Sequence, residues 1–486
     1  MQSLSADTLD YVLAFCTVRT LARLREVSRS MRAAAEEASR AQRVTLHTAA
    51  DATAPSPMPS AWYRGTVALV WHTDMVAFPP ALPAGVTHVR VLRAPGQGVV
   101  LGPHTKSVRI WAPMRRLPTL PHVLQRIHMK ACHEMADLSP LTSCAATLEC
   151  IRLEKCSELT DGGLAPLGAC YALTSVLLGG CPLLTSASVL EKLPCLDTVA
   201  LVAWPLLVEV GALPRARNVA FNGCPLLSKV GAAWGQLRSV SIRQCPLLMP
   251  GVVSEATHVD FDGMDDASLE ALARRCPEII ALAVSGSPLV TDAGVEAAAN
   301  ALGATLAVAA FTGAPQLTDA SVRALARLRL KAVFFSGCPL LTDASLRALS
   351  EVGTLQDVRF EACLGLSDVG VGEVGKCPRL AAAGFPYCPQ LTGASLRGLC
   401  GATLKSVNFS KAGPITDDDL AAFVGGCPAL EQVSLVKSPI LTDEGLRVLA
   451  AVPTLRRAFV SKCPKTTEAG HKELEGVLRR RGLARK

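Results

Sequence analysis

The chain has 486 residues, of which 50% are hydrophobic and only 4% aromatic, and its formal net charge is +8. This charge is modest for the length, and lysine and arginine are interspersed with aspartate and glutamate, so a solvated surface explains it and no nucleic-acid partner is expected. No apolar run approaches the roughly 18 residues that a membrane-spanning helix needs, and no membrane association is expected.

Residues 1–47 are expected to form two or three short amphipathic helices, because their apolar residues recur at intervals of three and four. This layout resembles an F-box, with Ser5, Ser28 and Met31 standing where that family has proline, cysteine and tryptophan. The resemblance implies docking on a Skp-type adaptor of a cullin–RING ubiquitin ligase. The implied adaptor-binding residues are Leu4, Leu9, Val12, Leu13, Phe15, Leu21, Leu24, Val27 and Met31. The alternative is a helical cap that covers the exposed end of the array of repeats that follows in the sequence.

Residues 48–140 are interpreted as degenerate repeats interrupted by proline-rich loops. The segment Ala49–Ser60, rich in alanine, proline and serine, reads as an exposed connector, and Phe78–Gly85 as a second loop. Alternating apolar pairs recur at spacings near 20, and they are Val67/Leu69, Val89/Val91, Val108/Ile110 and Ile127/Met129.

A clearer repeat of about 24 residues occupies 141–470, and Phe335–Leu349 is its best example. The alternation at Val333–Phe335 predicts a short half-buried strand. The small residue Cys338 follows the strand and fills a tight interior position. Thr342 or Asp343 then caps a helix, and the acidic residue suits the helix dipole. Self-similarity at this period indicates a solenoid, in which neighbouring repeats complete each other's core.

The repeat resembles the cysteine-containing leucine-rich repeats. The equivalent cysteines are Cys132, Cys156, Cys181, Cys224, Cys245, Cys338, Cys363, Cys388 and Cys463, and the position is otherwise Ser287, Ala314, Ala412 or Ser438. The resemblance implies an α/β solenoid curved like a horseshoe, with parallel strands on the concave face and helices on the convex face. The cysteines are then packing residues that stay reduced, which favours the cytoplasm, and the nucleus as well.

No catalytic, cofactor or metal site is expected. Gly370-Val-Gly372-Glu-Val-Gly375 fits the spacing of a dinucleotide-binding turn, but its phase puts it on the repeat helix, where drift in a small helix explains the glycines better. Cys132-His133 has no partner pair and reads as a repeat cysteine followed by a surface histidine. Residues 471–486 form a basic C-terminal tail, interpreted as the solvated end of the last helix.

The predicted function is therefore non-catalytic protein recognition. The favoured hypothesis is a substrate-recognition subunit of a Skp–cullin–F-box ubiquitin ligase, whose repeat surface binds an unknown protein substrate. The alternative is a leucine-rich-repeat scaffold or assembly protein. The strand alternation places partner-binding candidates on the concave face, and they are Arg243, Asp260, Asp262, Phe334, Asp357, Arg359, Glu361, Asn408, Arg457 and Phe459.

Overall fold

The computed structural model describes residues 45–46, 68–71, 87–91, 101–111, 116–231, 237–248, 255–401 and 403–483. The chain divides into two compact units. Unit 1 comprises residues 1–236 and 244–248, and unit 2 comprises residues 237–243 and 249–486. The nine F-box-like residues from Leu4 to Met31 lie outside the described residues.

Unit 1 contains a parallel sheet whose strands pair in chain order. Its strands are β1 (Thr45–Leu46), β2 (Ala68–Trp71), β3 (His88–Val91), β4 (Ser107–Ile110), β5 (Arg126–Lys130), β6 (Cys150–Glu154), β7 (Ser175–Gly179), β8 (Thr198–Val202) and β10 (Asn218–Asn222). A separate two-stranded sheet joins β9 (Glu209–Val210) to β11 (Lys229–Val230).

The connections of unit 1 that the structure describes carry little α-helix. Helix α1 (Asp161–Leu164) is a single turn followed by the 3-10 helix Ala165–Ala169. Two further 3-10 helices, Ser139–Cys144 and Ser188–Lys192, occupy neighbouring connections.

Unit 2 alternates parallel strands with α-helices. The strands, again paired in chain order, are β12 (Ser239–Arg243), β13 (His258–Asp262), β14 (Ala281–Ser285), β15 (Val308–Thr312), β16 (Ala332–Ser336), β17 (Asp357–Glu361), β18 (Ala382–Gly384), β19 (Ser406–Asn408), β20 (Gln432–Ser434) and β21 (Arg457–Phe459). The helices are α2 (Asp266–Arg275), α3 (Asp292–Ala301), α4 (Asp319–Ala326), α5 (Asp343–Ser350), α6 (Asp368–Val374), α7 (Gly393–Gly398), α8 (Asp417–Gly426), α9 (Asp443–Ala451) and α10 (Glu468–Leu483).

The chain is thus an α/β leucine-rich-repeat solenoid, as the sequence predicted. One repeat shows why these residues fold in this way. Val333 and Phe335 are buried on one face of β16, and Leu346 and Leu349 are buried on one face of α5. Cys338 is fully buried where the chain leaves the strand. No disulfide links the cysteines within the described part of the chain, and burial raises the pKa of the Cys338 thiol to about 11.

A stack of phenylalanine rings runs through the core of unit 2. Phe311, Phe335, Phe360, Phe385 and Phe409 are fully or almost fully buried at equivalent positions of successive repeats. Their consecutive ring centroids lie 5.7, 5.2, 6.4 and 5.6 Å apart, which is within the range for favourable aromatic pairs. Each of the three middle rings therefore contacts the rings of the repeats before and after its own.

The Thr–Asp pair links neighbouring repeats as well as capping helices. Thr342 is the N-cap of α5, and its hydroxyl accepts a hydrogen bond from the Ala344 N–H. The backbone N–H and the hydroxyl of Thr342 also donate to the two carboxylate oxygens of Asp319 in the preceding repeat, at 2.9 and 2.7 Å. The pairs that share this double bond are Asp161–Thr185, Asp266–Thr291, Asp292–Thr318, Asp319–Thr342, Asp343–Ser367, Asp368–Thr392, Asp417–Thr442 and Asp443–Thr467. We call this series the aspartate ladder.

Two glycines of the dinucleotide-like motif have a structural reason, so the interpretation as drift is wrong for them. The motif does lie on α6, as predicted. A Cβ atom on Gly370 would collide with the Asp343 carboxylate of the ladder. One on Gly375 would collide with the Gly398 carbonyl of the next repeat. Close packing between repeats, rather than phosphate binding, accounts for both.

The start of the basic tail continues helix α10. Arg479 forms an ion pair with Glu475 one turn earlier. The Arg481 guanidinium donates to the carbonyls of Ala450 and Val452 at the end of α9. A cation at this place satisfies carbonyls that the helix leaves without partners. Arg481 is therefore a packing contact between the last two helices.

Candidate protein-interaction surface

All ten partner-binding candidates lie on the strands of unit 2. Backbone pairing puts the central exposed positions of β13 to β17 directly in register. From one strand to the next, these positions are Asp260, Ala283, Ala310, Phe334 and Arg359. All five are half-buried or exposed. We call the outward-facing side of β12 to β17, which contains this row, the unit 2 strand face.

An ion pair bounds the unit 2 strand face at β12 and β13. The Arg243 guanidinium lies 2.6 Å from Asp260 Oδ2, and the Ser241 hydroxyl donates to the same oxygen at 3.0 Å. Asp260 Oδ1 is buried and has no hydrogen-bond partner among the described residues. Since buried polar atoms in folded proteins are normally paired, this oxygen is a place where a partner could donate a hydrogen bond.

At β16 and β17, the unit 2 strand face is bounded by the Phe334 ring, which the Arg359 guanidinium covers. Arg359 Cζ lies 5.2 Å from the centroid of the Phe334 ring, in cation–π geometry. Arg359 also forms an ion pair with Asp357 at 2.9 Å. Burial raises the pKa of Asp357, although the hydrogen bond and charge of Arg359 oppose that shift. Glu361, on the same strand, is exposed.

Small apolar side chains fill the area between these borders. They are half-buried and belong to Ala281, Ala283, Val308, Ala310 and Ala332. Because none of them projects far from the sheet, the middle of the face is shallow. The face therefore combines an apolar floor, one aromatic ring and charged borders, the composition that protein interfaces favour.

The remaining candidates lie further along the sheet. Asn408 is on β19, where its side-chain oxygen accepts a hydrogen bond from the Ser410 N–H at 3.0 Å. Arg457 and Phe459 are on β21, and Phe459 is 50% exposed. Five strand spacings, about 24 Å, separate β21 from β16. The structure thus groups Arg243, Asp260, Asp262, Phe334, Asp357, Arg359 and Glu361 on β12 to β17, and places Asn408, Arg457 and Phe459 apart from them.

Two findings concern other kinds of site. Within the described residues, no group of three or more histidine, cysteine, aspartate or glutamate side chains is arranged to hold a metal ion. Over the same residues, no helix combines the length and the apolar character that crossing a bilayer requires. Cys132 is buried and His133 exposed, as the sequence predicted.

Sequence reasoning missed a set of cations on unit 1. Arg109, Arg126, Lys130 and Arg152 project from the exposed face of β4 to β6. Three of them, Arg109, Arg126 and Lys130, precede residue 148, where the repeat pattern is weak. The alternation in these short strands was the signal that could have identified them.

No protein-family model matches the chain, and no curated protein matches it. Solved structures do resemble it. One is in the complex of Rad7 and Elc1 from yeast, with 17% identity, a TM-score of 0.45, and coverage of 68% of this chain and 80% of the other. Another is in the complex of TLR13 with ssRNA13, with 15% identity, a TM-score of 0.46, and coverage of 81% and 62%. A third is an internalin from Listeria monocytogenes, with 16% identity, a TM-score of 0.29, and coverage of 69% and 80%.

Proposed function

We propose that the protein is a non-catalytic recognition module that binds a partner protein on the unit 2 strand face. The observation that carries the proposal is the row from Asp260 to Arg359, where an apolar floor lies between an ion pair and an aromatic–guanidinium pair. Large rings and arginines are the side chains that most often dominate binding free energy at protein interfaces. Phe334 and Arg359 are accordingly the proposed anchors.

The finer proposal is that this module is the substrate receptor of a Skp–cullin–F-box ubiquitin ligase. It is supported by the resemblance of residues 1–47 to an F-box, followed along the chain by leucine-rich repeats. In this arrangement the N-terminal helices hold the adaptor, and the strand face holds the protein to be ubiquitinated. The chain itself then has no chemical step to perform.

Adaptor binding is tested by co-purification of the full chain with a Skp-type adaptor. Leu13→Asp or Val27→Asp is expected to abolish co-purification, because each puts a charge at an apolar docking position. Ser30→Asp adds the same charge at a polar position of the same segment and is expected to retain the adaptor. A soluble protein that never binds the adaptor overturns the ligase assignment and favours the scaffold.

Target binding is tested separately by proximity labelling in cells with the full chain. Phe334→Asp combined with Arg359→Glu is expected to remove the proteins labelled by the native chain, while adaptor labelling persists. The matched control is Arg347→Glu with Val369→Asp, which makes the same change in net charge at exposed positions of α5 and α6, on the helical side of the same two repeats. Unchanged labelling by the Phe334/Arg359 variant would contradict the assignment of the strand face.

A further inference from the structure

The exposed face of unit 1 changes character from cationic to apolar along one row of the sheet. Arg109 on β4, His128 on β5 and Arg152 on β6 are directly in register. Since neighbouring strands lie about 4.8 Å apart, Arg109 and Arg152 are separated by about 10 Å across the sheet. Arg126 and Lys130 flank His128 on the same face of β5, two residues away on either side.

The cations on this face outnumber the acids. Strands β4 to β6 contain a single acidic residue, Glu154. It forms ion pairs with Arg152 at 2.6 Å and Lys130 at 3.5 Å. In the described part of the chain, Arg109 and Arg126 have no acidic partner within ion-pair distance, and both are exposed.

This arrangement opposes the pairing of β3 with β4. Arg109 is directly opposite Arg90 on β3, and like charges at directly opposed positions of neighbouring strands destabilise the pairing. Burial lowers the pKa of His128 and the charge of Arg152 lowers it further, although Glu154 opposes the shift, so the imidazole between the two arginines is disposed to be neutral. Ion pairs with Glu154 account for Lys130 and Arg152, but folding alone gives no reason to place Arg109 and Arg126 here. A bound anion does.

The row continues onto an uncharged surface. Arg152 is in register with Leu177 on β7, which is followed by Ala200 on β8 and Ala220 on β10. None of these three strands contains a charged residue. An occupant that follows the row therefore meets cations over three strands and then half-buried apolar side chains over the next three.

Three anionic occupants can be compared with this pattern. A nucleic acid carries a charge at every nucleotide, so its charges would extend over the uncharged strands without partners. A single phosphate cannot contact the whole cationic group, because Arg126 and Lys130 are four residues, about 13 Å, apart along β5. Several carboxylates spaced along an extended peptide can reach the separate cations, and apolar residues after them fit β7 to β10.

We propose that the exposed face of β4 to β10 in unit 1 binds an extended segment of a partner protein in which a cluster of Asp and Glu side chains is followed by apolar side chains. Arg109 and Arg126, which have no ion-pair partner in the described structure, are the principal contacts for the carboxylates. Trp111, 37% exposed beside His128, borders the cationic end. This inference rests on the proposed function, since it assigns part of the partner to a second surface.

The test measures peptide binding to the purified full chain by fluorescence anisotropy. The probe is a labelled synthetic peptide with four alternating glutamates followed by four alternating leucines. Two comparison peptides carry glutamine for glutamate, or phosphoserine at one position in place of the four glutamates. The glutamate peptide is expected to bind about tenfold more tightly than the glutamine peptide, and added salt is expected to weaken it.

Variants localise the binding. Arg109→Gln with Arg126→Gln is expected to weaken the glutamate peptide about tenfold, since both unpaired cations are removed. Lys192→Gln with Arg215→Gln removes the same charge from exposed positions away from the strand face, and its affinity is expected to match the native chain. Equal weakening by both pairs, equal binding of glutamate and glutamine peptides, or tighter binding of the phosphoserine peptide would overturn the proposal.

The two proposals can fail independently. If the glutamate peptide does not bind, but Phe334→Asp with Arg359→Glu still removes the labelled target, the unit 1 inference is wrong and the proposed function stands. If the peptide binds as expected but the unit 2 variant labels the same proteins, the unit 2 assignment is wrong and the unit 1 surface stands.

Discussion

The connections after β7 in unit 1 and after β13 in unit 2 differ in structure although the repeats have the same length. In both, the next strand begins 23 residues after the previous one. The unit 2 connection contains α2, a helix of 10 residues, whereas the unit 1 connection contains a 3-10 helix of 5 residues. Repeat length alone therefore does not decide whether a connection forms an α-helix.

Capping residues contribute to the difference, although they do not set helix length alone, since α1 has both a threonine cap and a ladder aspartate and ends after one turn. The N-cap of α2 is Asp265, whose side chain accepts the Ser268 N–H, and Asp266 in the first turn also accepts a hydrogen bond from Thr291 of the next repeat. The connection after β7 has Ser186 in place of the ladder aspartate, and its 3-10 helix has no side-chain cap. A capping side chain and a first-turn carboxylate each stabilise a helix start by about 0.5–2 kcal/mol. In a short helix, this contribution is a large share of the free energy that stabilises the helix.

The aromatic stack is a second feature that distinguishes the two units, and it gives the largest expected effect. Phe335→Ala removes a fully buried ring and its contacts with Phe311 and Phe360, and should lower the free energy of unfolding by about 3–5 kcal/mol. Leu178→Ala, at a buried strand position of unit 1, removes a leucine side chain and no contact between two aromatic rings. Urea unfolding of both variants tests whether the stack gives unit 2 an additional contribution.

The control for this prediction is the adjacent residue. Phe334 has the same side chain but projects from the opposite, exposed face of β16, so Phe334→Ala should change the free energy of unfolding by less than about 1 kcal/mol. Similar losses of unfolding free energy for Phe334→Ala and Phe335→Ala would contradict the assignment of these two rings to opposite faces of β16.

One rung of the aspartate ladder, the link between the repeats of Gly393 and Thr416, differs from the others. It allows a test of how the carboxylate joins the repeats. Helix α7 begins with Gly393 instead of aspartate, and Asp419, the third residue of α8, accepts the N–H and hydroxyl of Thr416 at 3.0 and 2.7 Å. A side chain at residue 393 would collide with the Asp419 carboxylate. The structure thus exchanges the two positions: the carboxylate comes from within the repeat instead of from the preceding one.

Gly393→Asp and Asp419→Ser should each lower stability, by about 1–3 kcal/mol, since one adds a buried clash and the other removes the acceptor for Thr416. The double variant restores the arrangement of the other rungs and should be more stable than either single variant. Chemical denaturation of all four proteins gives the coupling free energy. Additive losses would show that the two positions do not exchange roles.

The repeat could be predicted from sequence because each strand and helix repeats the same local pattern. Alternation identified Val333 and Phe335 as buried, and the Thr–Asp pair identified the helix starts. The link from Asp319 to Thr342 was not predictable, because the two residues are 23 apart in the sequence. Their positions at helix starts already explained why each residue type is there. The cationic face of unit 1 was missed for a different reason: β4 lacks the cysteine that sets the phase of later repeats, and β5 is followed by Cys132 but not by the Thr–Asp pair.

The smallest expected effect is the change with pH in the stability that Asp319 contributes. Burial opposes ionisation of Asp319, but hydrogen bonds from Ser345 and Thr342 outweigh it and hold the pKa of Asp319 below its usual value. A lowered folded-state pKa stabilises the protein above the unfolded value, near 3.9, and this contribution is lost as the pH falls through the folded value. Asp319→Asn should therefore cost about 1–2 kcal/mol at pH 7 and clearly less at pH 3.

Asp418→Asn is the matched control for this measurement, because Asp418 is also in a first helical turn but is exposed and no ladder bond involves it. Its cost should be about 0.5 kcal/mol, from the helix dipole alone. Urea unfolding at pH 7 and pH 3 compares the two variants with the native chain. If the deficit of Asp319→Asn is the same at both pH values, the ionised carboxylate is not what joins the repeats, and the ladder contributes through its geometry alone.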